Sequence, residues 1–152
     1  MGPAPTREAL PDEGTMNLSG LLPVLASDPA VGRLLGAALA PVPAARDAEI
    51  DVVAPAGTRP ALLASLLTGP ASAAPGAGRP PGLVVAVVAT GREADELAAA
   101  VRCYLPAQAD AVAVLPAWET LPHERLSPRS DTVARRLAVM RRLAHPTPDG
   151  GA

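Results

Sequence analysis

The chain has no phenylalanine, one tyrosine (Tyr104) and one tryptophan (Trp118), so its interior must be built from valine, leucine, isoleucine and alanine. Such a core suits helices packed on a small parallel sheet better than an all-β sandwich. Lysine is absent: all 13 basic residues are arginine. Bias toward GC-rich codons accounts for this, but the absence has a chemical consequence taken up below. A lone cysteine, Cys103, excludes an internal disulfide and suits a reducing cytosol. No apolar run reaches the roughly 20 residues that span a bilayer. The first residues lack a basic segment followed by an apolar one. The expected location is therefore the cytoplasm.

What is present is unevenly spread. The net charge of -2 conceals an Arg-rich end. Between Trp118 and His145, six arginines face Glu119, Glu124 and Asp131, while the remainder carries seven arginines and twelve acids. Length allows one domain with its own core. Residues 1–15 have no periodic apolar pattern and read as a disordered leader. Asp28-Pro29 has the form of a helix N-cap followed by proline. Val31, Leu34, Leu35, Ala38 and Leu39 then follow helical spacing. Residues 50–53 begin a short strand, and residues 61–67 a helix opened by Pro60. Residues 68–81, TGPASAAPGAGRPP, read as a flexible loop.

The Val-rich run over residues 83–89 has the length and β-branching of a central parallel strand. Thr90-Gly-Arg-Glu93 has capping-box spacing, and the helix it opens carries Ala94, Leu97, Val101 and Tyr104 on one face. Residues 112–115 give a third strand. This order predicts an α/β fold, a partial parallel sheet with flanking helices and right-handed crossovers. A last helix begins at Ser127-Pro128 or Ser130-Asp131, with Val133, Leu137, Met140 and Ala144 as its apolar stripe. Arg136 and Arg141 flank that stripe. Residues 16–146 are expected to form one incomplete subdomain, and residues 147–152 a tail or linker.

The loop between the first strand and its helix occupies the place of a phosphate-binding loop. A working one needs G-x-x-x-x-G-K-[ST], in which backbone N–H groups cradle phosphate, lysine reaches the terminal oxygens and the hydroxyl binds Mg²⁺. Here the residues are Ala54-Pro-Ala-Gly-Thr-Arg-Pro60. There is one glycine, Pro60 removes a donor, and a chain without lysine cannot supply the cation. Gly57, Thr58 and Arg59 are thus a degenerate phosphate loop, with an ordinary turn as the plainer reading. A dinucleotide G-x-G-x-x-G is missing, and the two histidines, one cysteine and scattered acids have no metal-ligand spacing. His123 near Ser127 and Ser130 does not define a triad, which is a matter of geometry. Trp118 reads as a core or interface residue. Arg129, Arg135 and Arg142 suit a solvated face or a phosphate contact.

Residues 115–143, LPAWETLPHERLSPRSDTVARRLAVMRRL, resemble the start of the bacterial transcription-repair coupling factors (Mfd), in their actinobacterial style. The resemblance runs diffusely back to Met16. It implies a module similar to the first helicase-like subdomain of the excision-repair protein UvrB, with a defunct nucleotide site. Full-length members of that family use ATP and Mg²⁺ to move along DNA, displace RNA polymerase stalled at a lesion and recruit UvrA. Motor and polymerase-binding motifs are absent from these residues, and so is the Tyr-rich hairpin with which UvrB probes damage. The chain is then expected to be an N-terminal fragment without ATPase activity and without a cofactor of its own, acting as a scaffold. Its interdomain or partner surface would comprise Trp118, Pro122, His123, Arg125, Arg129, Asp131 and Arg135, with Asp131 as a cap or ion-pair partner. Two other readings stay open: a Rossmann-like half-domain of an unrelated small-ligand enzyme, and a defective product that never folds.

Overall fold

The computed structural model describes residues 16–40, 49–69, 82–118, 127 and 129–145. Five α-helices occur among them: α1 (Leu22–Ala26), α2 (Pro29–Ala38), α3 (Arg59–Thr68), α4 (Gly91–Tyr104) and α5 (Ser130–Ala144). Short 3-10 turns precede α1 (Ser19–Leu21) and α3 (Ala56–Thr58), and another follows α4 (Pro106–Ala111). The expected leader and tail lie outside the described residues, as does the expected loop apart from Thr68 and Gly69.

Local sequence explains the helix ends. Asp28 caps α2 by accepting the N–H groups of Ala30 (2.8 Å) and Val31 (3.1 Å), with Pro29 in the first turn where its missing donor costs nothing. Thr90 caps α4 by accepting the N–H of Glu93 at 3.1 Å. α3 ends at Gly69, whose φ of 71° a side chain would oppose. Inside α3, the buried hydroxyl of Ser65 donates to the Ala61 carbonyl at 2.8 Å, which satisfies it within its own helix.

α3 and α4 pack against each other and hold the core. Ala64, Val101 and Leu105 are buried there, surrounded by Leu22, Leu63, Leu67, Leu97, Tyr104 and Val112. α2 closes one side with buried Leu35, joined by its buried C-cap residue Leu39. The Leu18 N–H donates to the Cys103 carbonyl at 2.8 Å and ties the first turn to the end of α4. Cys103 itself is half-buried, its thiol donating to the Ala99 carbonyl.

The α/β expectation is overturned. The described residues contain no β-strand and no sheet: residues 50–53, 83–89 and 112–115 have no regular secondary structure. A central parallel strand would be buried on both faces, yet Val53, Val85 and Val87 are 103%, 74% and 89% exposed. β-Branched residues favour a strand only once neighbouring strands supply ladder bonds and a packed face. No ladder forms here among the described residues. α5 also departs from expectation. Its face toward the molecule is Thr132, Val133, Arg136, Val139 and Arg142, whereas Leu137, Met140 and Leu143 are exposed. The helix is turned by about one residue, roughly 100°, because arginines rather than leucines make its attachment.

Candidate functional site

The degenerate phosphate loop folds as a turn. Gly57 and Thr58 lie in the 3-10 turn before α3, and Arg59 is the first residue of α3. Thr58 directs both its N–H (2.9 Å) and its hydroxyl (2.7 Å) at the Pro55 carbonyl, so the hydroxyl is turned into the loop's own backbone. Pro60, in the first turn of α3, is buried and carries no N–H. Gly57 has no positive φ, and a Cβ there would meet nothing within 4 Å. Neither backbone conformation nor a neighbouring protein atom requires glycine at this position.

Arg59 has a protein partner. Its Nη1 lies 3.1 Å from Glu93 Oε1 at the start of α4. The second Glu93 oxygen accepts the Ala89 N–H at 3.3 Å. In a full capping box that carboxylate would reach back to the N–H of Thr90 itself; here it goes one residue further and takes the arginine as well. The side chains are 61% and 39% exposed, so the pair contributes only about 0–1 kcal/mol. Its effect is on availability. The one cation at the loop is in contact with a carboxylate, and the two line an open cavity of about 450 Å³ together with Leu62, Leu63, Val87 and Leu97.

Of the expected partner surface, Pro122, His123 and Arg125 lie outside the described residues. Trp118 is 51% exposed and carries the Arg136 guanidinium 4.4 Å from its ring centroid, a cation–π contact. Arg129 precedes α5 in the N-cap position without a side-chain cap bond. Neither Ser127 nor Ser130 caps the helix: Ser130 is its first residue. Asp131 sits in the first turn, where its charge favours the positive end of the helix. It has no ion-pair partner among the described residues. Arg135 is exposed one position before Arg136. The structure therefore brings Trp118 to α5, but through Arg136.

Three arginines of this region were missing from the expected set. Arg136 Nη1 donates to the Pro116 carbonyl, Arg142 Nη2 to the Asp110 carbonyl at 2.6 Å, and Arg102 Nη2, from α4, to the Val112 carbonyl at 2.7 Å. Guanidinium donors thus hold backbone acceptors at and on either side of the expected third strand. Charge-assisted bonds contribute about 1.5–3 kcal/mol at most, and the exposed Arg142 bond contributes less than the two part-buried ones. The signal in the sequence was the i, i+3, i+6 placement of Arg136, Val139 and Arg142 on one helix face.

No group of three His, Cys, Asp or Glu residues able to hold a metal ion occurs among the described residues. Nor is any single helix among them long and apolar enough to cross a membrane. What the described residues of the site offer is arginine donors, one half-exposed indole and open backbone.

Comparison with known proteins gives one consistent result. The chain is 44% identical over 129 residues to the transcription-repair-coupling factors of Mycobacterium bovis and Mycobacterium tuberculosis, a match covering 85% of the chain. That stretch is 9% of the length of those relatives. No protein-family model matches, and no solved structure matches.

Proposed function

We propose, for a chain that is a homologue of a short part of the transcription-repair-coupling factors, that it serves as a non-catalytic scaffold within such a factor. The observation that carries the reading is the state of the phosphate-loop position. Gly57 is followed by Thr58 rather than by lysine, Arg59 beyond it is paired with Glu93, Thr58 bonds its own turn, and Pro60 removes a helix N-terminal donor. Backbone N–H groups, a free cation and a free hydroxyl are all required to cradle phosphate and Mg²⁺. This loop has no lysine, its arginine is paired with a carboxylate, and its hydroxyl is bonded to its own turn.

In this reading the work of a coupling factor belongs to the whole protein: ATP-driven movement on DNA, displacement of stalled RNA polymerase and recruitment of UvrA. The present module contributes surface. Trp118, Arg129, Asp131 and Arg135 would lie in an interdomain or partner contact, as an exposed Trp beside arginines suits. Calorimetric titration of the chain with ATP and Mg²⁺ tests the proposal. No saturable heat and no hydrolysis are expected. Tight, stoichiometric binding of ATP or of a dinucleotide would instead favour a small-ligand enzyme.

A further inference from the structure

A second cavity, of about 410 Å³, lies between α4 and α5. Its rim carries Arg102, Arg135 and Arg142 against one acid, Asp95, and its apolar walls include Val112 and Val114. Two of the arginines are fixed in place. Arg102 donates to the Val112 carbonyl and Arg142 to the Asp110 carbonyl, each through Nη2. A guanidinium has five N–H donors in a rigid fork, so each retains donors after that bond. Arg135, exposed on α5, has no acceptor among the described residues.

The floor of the cleft is residues 112–114, which belong to no helix or strand. The N–H groups of Ala113 and Val114 have no backbone acceptor among the described residues. Backbone left open in this way is a template for a further extended segment, whose main chain pairs with it while alternate side chains face each wall.

We propose that this cleft binds an acidic, extended peptide segment of a partner protein. Charge and backbone specify the occupant together. Aspartate or glutamate at every second position would meet the arginine rim, and the intervening small apolar residues would lie on Val112 and Val114. A nucleic-acid strand fits less well. Arginines alone would hold its phosphates, but neither Trp118 nor Tyr104 lines the cleft to stack its bases, and the open main chain would go unused. The proposal does not rest on the coupling-factor reading, since binding is measured on this chain itself.

The test is fluorescence anisotropy with the full 152-residue chain and three labelled probes: an octapeptide alternating Asp and Val, its Asn/Val counterpart, and a deoxythymidine oligonucleotide. The acidic peptide is expected to bind at least about tenfold more tightly than the Asn/Val peptide, and more weakly as salt is raised. Arg135→Ala should weaken it about fivefold and Arg135→Glu should abolish it. Because Arg135 is exposed, both variants should keep the parent helical circular dichroism. Equal affinity for the two peptides would overturn the proposal. So would an unchanged affinity in a folded Arg135→Glu chain, or tighter binding of the oligonucleotide.

Discussion

Arg136 uses one guanidinium twice, once over the face of Trp118 and once on the Pro116 carbonyl. Its Nε is buried without a hydrogen-bond partner, a cost that these two contacts offset. Arg136→Ala removes both contacts and is expected to lower stability by about 1–2 kcal/mol. Trp118 is the only tryptophan, so its fluorescence reports the loss directly, as a shift of emission to the red together with an earlier urea midpoint. Arg136→Met keeps the stem and the packing against the indole, and it removes the orphaned Nε along with the donor; it should fall between the two. Equal emission spectra in all three chains would show that the contact does not hold the indole in solution. At this scale the sequence was legible in part. Trp118 stood out as a core or interface residue and does contact α5, but the choice of Arg136 over Arg135 depends on helix rotation, which local spacing did not reveal.

Among the elements, the helices that announced themselves through polar caps formed where expected. Asp28-Pro29 and Thr90-Gly-Arg-Glu93 encode their own termini, because a cap needs only side-chain oxygens and N–H groups within three residues. Thr90→Ala should therefore cost about 1 kcal/mol in thermal or chemical unfolding. Gly57→Ala, at ordinary φ with open space around the new methyl, should be neutral or stabilise by up to about 1 kcal/mol. A strongly destabilising Gly57→Ala would mean that the loop does require glycine, which would weaken the case against a phosphate cradle. α5 was read less well. Its apolar stripe at Val133, Leu137, Met140 and Ala144 fits helical spacing, yet Leu137 and Met140 face solvent. Periodicity locates an apolar face; it does not say whether a neighbour is there to cover it.

For the molecule as a whole, the three Val-rich runs were the largest error of sequence reading. A run such as residues 83–89 satisfies every local criterion of a buried strand. Pairing, though, is a relation between distant segments, and local composition holds no information about whether it is made. The result is a helical core of modest size flanked by exposed apolar chain: Val53, Val85 and Val87 are each more than 70% exposed. Exposed Val-rich segments with unpaired backbone invite association with other chains. The double substitution Val85→Lys, Val87→Lys is expected to lower light scattering at high concentration and to leave helical circular dichroism and the unfolding midpoint within about 0.5 kcal/mol of the parent. Loss of helix in that variant would place the two valines in the core after all.

The bonds from Arg102, Arg136 and Arg142 end on main-chain oxygens. Every residue type carries such an oxygen, so, apart from Val112 and Val114, which pack inward, the side chains of residues 110–116 can change without weakening the grip upon them. The freedom to vary therefore falls on one partner and the constraint on the other. Substitutions could accumulate along the gripped segment while α4 and α5 hold their three arginines, and the path of the chain would be inherited through the residues that clasp it.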